Sequence, residues 1–292
     1  MPRSYHVLDV FTDRPLAGNP LAVIHDCDGL DTERMQAIAG EFNLSETVFL
    51  LPPDHPVHSA KARIFTPSRE LPFAGHPSIG AAILLATLRG TGDGIIVLEE
   101  EIGAIRVGVS FGEARAFAEF DIPRMPERLD DPVDPELAAA ALGLLPSEIG
   151  FENHKPSLWT VGVTFPFVPV RDLSVLRKCK VERRAFGEAF GDAVYVYCRE
   201  TLSRDNDLHA RMFAPGLGVD EDPATGSAAA ALAGVLMTYD QPTAGTHRWK
   251  VEQGHIMGRP SVVEIELVIE GGLQIVRIGG SAVIVAEGEL HV

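Results

Sequence analysis

Two short stretches hold residue types that could bind a small anion and move a proton on it. In the first, RIFTPSRELPFAGHPSIGAAILLATL from Arg63 to Leu88, Gly75-His76-Pro77 makes a tight turn into a helix expected from Ser78 to about Leu88 and closed by Arg89-Gly90. Pro77 suits the first helical position, where its missing N–H costs nothing. Free backbone N–H groups at such a start favour an anion, and Gly75 lets a ligand approach the backbone. His76 stands at the same turn, a place where a histidine serves as a cap, a core residue or a proton relay. In the second stretch, EDPATGSAAAAL, Gly226 precedes another small-residue helix that begins at Ser227, and Asp222 precedes Pro223, a common turn use of aspartate. Glu46, in Asn43-Leu44-Ser45-Glu46-Thr47, lies between a helix-like segment and a strand. Alone it reads as a solvated residue. In a cleft, a single carboxylate can take a proton from one carbon and return it to another, provided burial lifts its pKa.

These stretches belong to an internal repeat. Arg211-Met-Phe-Ala-Pro follows Arg63-Ile-Phe-Thr-Pro by 148 residues, and Pro223 and Gly226 follow Pro72 and Gly75 by 151. Upstream, the segment at Ser45 aligns with that at Gly191 with an offset of 146, which places Asp192 opposite Glu46; downstream, Glu101 and Gly103 align with Glu252 and Gly254 at 151. Two copies of one fold are expected.

The elements that must position the site follow from pattern. Gly18-Asn19-Pro20 turns between two strands, and Asp31 to Phe42 reads as a helix with Asp31 or Thr32 as N-cap and Met35, Ile38, Ala39 and Phe42 on one face. Thr47 to Leu51 is a strand, and β-rich segments run from Ile95 to Asp121. The Pro-rich, charged segment from Ile122 to Pro135 is the expected linker between a first domain over 1–125 and a second over 126–292. In the second copy, Glu136 to Leu142 reads as an added helix and Val161 to Val170 as the counterpart of the Gly18 strand. Ile275 to Ile278 and Ala282 to Glu287 read as two short strands around Gly279-Gly280, and the last could return to the first domain.

A chain of 292 residues with a net charge of −16 and no basic stripe does not fit a nucleic-acid partner. The uncharged runs Leu71 to Leu88 and Pro223 to Tyr239 fall short of the ~20 apolar residues of a membrane span. Asp9 and Asp13 interrupt the N-terminus before a signal-length apolar run develops. Cys27, Cys179 and Cys198 are odd in number and have no metal or disulfide spacing, which suits a reducing cytosol, so a soluble, cytoplasmic protein is expected. His55 and His58 lie in a Pro-rich loop without a carboxylate or cysteine in a ligand pattern and read as solvated. A phosphate loop and a Gly-x-Ser-x-Gly nucleophile are both absent.

The segments LDVFTDRPLAGNPLAVI, NLSETVFL, RIFTPSRELPFAGHPSIGAA, EDPATGSAAAAL and GHIMGRPSVVEIE, in this order, resemble the PhzF family of phenazine-biosynthesis isomerases and their relatives. The resemblance implies an α/β, diaminopimelate-epimerase-like fold: two pseudo-symmetric domains, each a curled β-sheet or barrel around a central helix, with the active site between them. It also implies an enzyme without cofactor or metal, usually a homodimer, that shifts a proton within a small carboxylate. On this basis Glu46 is the general acid/base, His76 holds substrate and relays a proton, and Asp222 pairs with a substrate amine or hydroxyl. Gly75, Gly226 and Ser227 donate to the substrate carboxylate, and Asp192 is structural. Two-thiol racemisation is not expected, since the two cysteines it needs are replaced by Ala74 and Ala224. The family's best-known reaction isomerises trans-2,3-dihydro-3-hydroxyanthranilate, but a shared fold and site do not fix a substrate. A metabolite- or partner-binding protein that keeps the cleft is the competing expectation, and dependence on Glu46 distinguishes the two.

Overall fold

The computed structural model describes residues 2–113 and 115–292. It divides into two compact units, unit 1 comprising Met1–Asp121 with Gly279–Val292, and unit 2 comprising Ile122–Ile278. In each, a curled sheet surrounds one helix of small and branched residues.

Unit 1 begins with β1 (Arg3–Val10) and β2 (Asn19–Ile24), which pair antiparallel. Helix α1 (Thr32–Phe42) crosses to β3 (Glu46–Leu51), which lies parallel to β2. β4 (Ala60–Phe65) and the short β5 (Glu70–Leu71) lead into α2 (Gly75–Arg89). β6 (Gly94–Glu100), β7 (Gly103–Phe111) and β8 (Ala116–Asp121) complete the run as a meander, with β6 parallel to β4. Asp31 caps α1, accepting a hydrogen bond from the Arg34 amide, and Met35, Ile38 and Ala39 are buried against Ala22, Ile24, Phe49 and Phe65. α2 packs on β1, β2, β3, β6, β7 and β8 and is buried from Gly75 to Ala86. Its mixture of alanine, glycine and branched residues leaves no polar stripe to solvate. At Gly80 an added Cβ would meet Leu21 at 2.5 Å and Val10 at 2.9 Å, so the glycine lets the helix sit close to the strands.

Unit 2 repeats this order. β9 (Glu127–Leu129) precedes α3 (Pro135–Ala141), and β10 (Ser157–Thr160) and β11 (Thr164–Pro169) then pair antiparallel. α4 (Leu173–Lys178) and α5 (Arg183–Phe190) lead to β12 (Val194–Cys198), parallel to β11. β13 (Leu208–Ala214) and β14 (Val219–Asp222) precede the buried helix α6 (Gly226–Tyr239). β15 (Gly245–Gln253) and β16 (Ser261–Glu270) follow, and β17 (Leu273–Leu290) runs from unit 2 into unit 1, where it pairs antiparallel with β1.

Several sequence-based boundaries move. α2 starts at Gly75 rather than Ser78, so Pro77 is its third residue, still within the turn whose amides have no partner inside the helix. α6 starts at Gly226 rather than Ser227, with Thr225 at its cap position. The Ile122 to Pro135 segment contains β9, paired with β10, and so is partly sheet. The two short strands expected at the C-terminus are one continuous β17. Gly279 and Gly280 make no turn there; an added Cβ would meet Phe117 at 2.6 Å and Phe11 at 2.4 Å respectively, so both glycines serve close packing.

Candidate active site

Glu46, Gly75 and His76 belong to unit 1, and Asp222, Gly226 and Ser227 to unit 2. Glu46 is the first residue of β3, and its direction follows from strand alternation. Phe49 faces α1 with Phe65 and Met35, so Val48 and Glu46 turn to the other face, toward α2. There the Glu46 Oε2 lies 3.4 Å from Nδ1 of His76, the second residue of α2. The Glu46 side chain keeps 18% of its exposure, whereas that of His76 keeps 5%. Burial pushes the His76 pKa down to about 3, against the opposing pull of the Pro20 carbonyl, so the imidazole is neutral at ordinary pH. The contact is therefore a carboxylate beside a neutral imidazole and not a salt bridge. A neutral imidazole donates at one nitrogen and accepts at the other, which is what a proton relay needs. Gly75 is the first residue of α2 and is buried; the amides of this first turn have no carbonyl partner within the helix.

In unit 2, β14 ends at Asp222, whose Oδ2 accepts a 2.6 Å hydrogen bond from Thr225 Oγ1. Gln253, fully buried at the end of β15, donates from Nε2 to the Asp222 carbonyl at 2.8 Å and to Thr225 Oγ1 at 3.0 Å. Its Oε1 accepts from the Thr225 amide at 3.3 Å and from the Tyr195 hydroxyl at 3.2 Å. Gly226 is buried, and Ser227, the residue in register with His76, is half-buried. The turn before α6 is thus fixed from behind by a neutral side chain, with the Asp222 carboxylate held by Thr225.

Ladder register corrects the position opposite Glu46. Thr47 pairs with Phe65 in β4 and Val194 with Phe213 in β13, so the residue matching Glu46 is Ala193 and not Asp192. Asp192 is exposed, and its carbonyl accepts from the Gly216 amide. The downstream alignment shifts as well. Glu99 accepts from the amides of Asp54 and His55 and meets His58 Nδ1 at 2.7 Å. Glu252 accepts from the amides of Leu202 and Ser203 and meets His209 Nδ1 at 2.7 Å. These two glutamates occupy one place in the repeat, at an offset of 153 rather than 151. His58, expected to be solvated, is half-buried and tied to Glu99, while His55 is exposed.

Sequence reasoning passed over Ser78, Glu100, Thr225 and Gln253, which brace the two helix starts. The alternation Ile96, Leu98, Glu100 was a usable signal, since it continues a buried face into a carboxylate. Neither helix cap is a cysteine, and burial raises the thiols of Cys27, Cys179 and Cys198 to about 12. Among the described residues no group of three or more His, Cys, Asp or Glu side chains is arranged to hold a metal ion, and no helix is long and apolar enough to cross a membrane.

Against known proteins, the sequence model of the phenazine biosynthesis-like proteins matches residues 8–288. The chain belongs to this PhzF family. It is 53% identical to an uncharacterized isomerase of Mesorhizobium japonicum, covering 99% of both chains. To the trans-2,3-dihydro-3-hydroxyanthranilate isomerase of Pseudomonas aeruginosa it is 36% identical, over 98% of this chain and 99% of that one. Among solved structures, the PhzF-family phenazine biosynthesis protein of Bacillus anthracis superposes with a TM-score of 0.90 at 26% identity, each chain covered completely. PhzF relatives thus share its whole length, and the curated ones are named isomerases.

Proposed function

We propose that this PhzF-family protein is an isomerase that shifts a proton, and with it a double bond, in a small amino- or hydroxy-carboxylate such as trans-2,3-dihydro-3-hydroxyanthranilate or an analogue. The observation that carries the reading is the Glu46 carboxylate beside neutral His76 in the first turn of α2. Glu46 takes a proton from a substrate carbon, and the C–H electron pair enters the neighbouring double bond system. The protonated Glu46 then returns the proton to another carbon of that system. Atoms and electrons balance within the substrate, so no oxidant or reductant takes part. His76 orients the substrate and passes protons between its two nitrogens. We assign the Gly75 amide, with Gly226 and Ser227, to the substrate carboxylate, and Asp222 to its amine or hydroxyl.

The test is incubation with trans-2,3-dihydro-3-hydroxyanthranilate in deuterated water, followed by NMR. Conversion to an isomer is expected, with solvent deuterium at the carbon that receives the proton to the extent that the protonated Glu46, whose side chain keeps 18% of its exposure, exchanges with solvent before returning it. Tight binding without conversion would favour a metabolite-binding protein for this compound.

A further inference from the structure

The first turn of α2 has no side chain at its cap, because Ala74 carries none that can accept. One turn in, Ser78 Oγ lies 2.8 Å from the Ala74 carbonyl oxygen and 2.6 Å from Glu100 Oε1. All three residues are buried. A hydroxyl has a single proton. Given to the Ala74 carbonyl, which has none to return, it leaves the 2.6 Å contact to be bridged by a proton on Glu100. An ionised Glu100 would instead claim the serine proton and turn a lone pair toward the Ala74 carbonyl. It would also bury a charge whose other oxygen, Oε2, has no hydrogen-bond partner among the described residues. A neutral acid tolerates that surrounding far better than a carboxylate.

The repeat supplies a second observation. Because Glu99 and Glu252 occupy one place, the next residues, Glu100 and Gln253, do too. Gln253 is neutral and braces the α6 cap directly through Thr225. In unit 1 the cap is Ala74, and the brace reaches it through Ser78. In unit 2 the residue at the end of the strand behind the helix start is a neutral donor, and Glu100 matches it only as the protonated acid.

We propose that Glu100, as the neutral acid, is a positioning residue for the first turn of α2: it donates to Ser78, Ser78 donates to the Ala74 carbonyl, and this chain orients and polarises the Ala74–Gly75 peptide. The Gly75 N–H becomes a stronger, better aimed donor. The catalytic consequence rests on the assignment of Gly75 to the substrate carboxylate; the hydrogen-bond chain does not. Burial pushes the Glu100 pKa up to about 8, with the Ser78 hydrogen bond opposing, and no charged neighbour contributes. The titratable groups on the surrounding elements are Glu99 and Glu101 on and after its own strand, Lys61 and Arg63 on β4, paired with Asp54 and Glu70, Arg106 on β7, and His76 and Arg89 on α2. Glu99 is bound to the Asp54 and His55 amides, Glu101, Arg106 and Arg89 are exposed, and His76 is neutral. Loss of the Glu100 proton above about pH 8 therefore breaks the chain at its first link.

The test uses protein labelled with ¹³C at glutamate carboxyls and ¹⁵N at glycine, titrated from pH 5 to 10. One carboxyl signal, missing in Glu100→Gln, should titrate near pH 8, and the Gly75 amide should shift with it in the wild type and stay flat in Glu100→Gln. A second arm measures turnover of trans-2,3-dihydro-3-hydroxyanthranilate. Glu100→Met should raise KM about tenfold with kcat within about threefold, and Glu100→Gln, which keeps a donor, should restore KM. A Glu100 carboxyl titrating in the ordinary range, or a Gly75 amide indifferent to it, would overturn the proposal. So would equal KM values in the Met and Gln variants. Absence of turnover in the wild type would count against this compound as substrate and leave the NMR arm to decide the positioning role.

Discussion

Unit 1 sets Glu46 and His76 beside the start of its buried helix, where unit 2 has Ala193 and Ser227. Conversely, unit 2 ends β14 with Asp222, in register with Leu71 at the end of β5. Around these differences the two copies agree closely. Arg63 pairs with Glu70 through two 2.6 Å hydrogen bonds and lies over Phe65; Arg211 pairs with Glu221 at 2.9 and 2.8 Å and lies over Phe213. Glu99 with His58 and Glu252 with His209 gather the loop amides in the same way. Apart from the helix-start glycines, whose amides are assigned to the substrate, what both copies keep is scaffold, because the same fold makes the same structural demand twice. What only one copy keeps is free to serve the chemistry. The repeat thus separates the two kinds of residue within a single sequence.

The comparison can be broken most forcefully at the arginines. Arg211 is nearly buried and donates to the carbonyls of Leu176 and Cys179 besides Glu221. Arg211→Ala leaves the largely buried Glu221 carboxylate and the Cys179 carbonyl without this partner and should cost about 3–5 kcal/mol in urea unfolding. Arg63 and Glu70 keep 24% and 29% of their side-chain exposure, so Arg63→Ala should cost only about 1 kcal/mol. Equal losses would mean that the two pairs are not graded by burial.

Next in size is Glu252. Burial alone would raise its pKa, but the hydrogen bonds from His209, the Leu202 amide, Asn206 and the Ser203 amide outweigh it and hold the carboxyl down to about 2. A depressed carboxylate stabilises the fold fully above its unfolded value, and the contribution fades as pH falls from about 4.5 toward about 2. Glu252→Gln should therefore cost about 1–3 kcal/mol at pH 7 and flatten this acid limb. An acid limb unchanged by the substitution would show that other carboxylates govern it.

At Glu100 the expected effect is a pH slope of the opposite hand. Its raised pKa has the opposite sign: the contribution is complete below about 4.5 and is lost as pH rises through about 8. Relative to the wild type, Glu100→Gln should gain stability steadily across that window. A constant difference from pH 5 to 9 would mean that Glu100 does not take up a proton on folding.

The sequence revealed the repeat and both helix starts because Arg-x-Phe-x-Pro and the glycines at 75 and 226 recur at nearly constant offsets. It also singled out Glu46 and His76, through motif rather than through burial. The one-residue slip at Asp192 and the two-residue slip at Glu101 were invisible to letter matching. Only ladder pairing and shared hydrogen-bond partners reveal which residues are equivalent. The strand in the 122–135 segment was hidden by its prolines and charges, since its pairing partner, β10, lies some thirty residues on. Gly279-Gly280 read as a break between two short strands because a glycine chosen for close approach to Phe117 and Phe11 looks the same in sequence as one chosen for φ.

The central claim is that Glu46 carries the proton, and Glu46→Gln tests it most directly. The substitution keeps size and shape while removing the base. In deuterated water with trans-2,3-dihydro-3-hydroxyanthranilate, the variant should fold and bind as the wild type does while turnover and deuterium incorporation fall together by about 10²-fold or more. Full turnover in a folded Glu46→Gln protein, with deuterium still entering the product, would contradict the account.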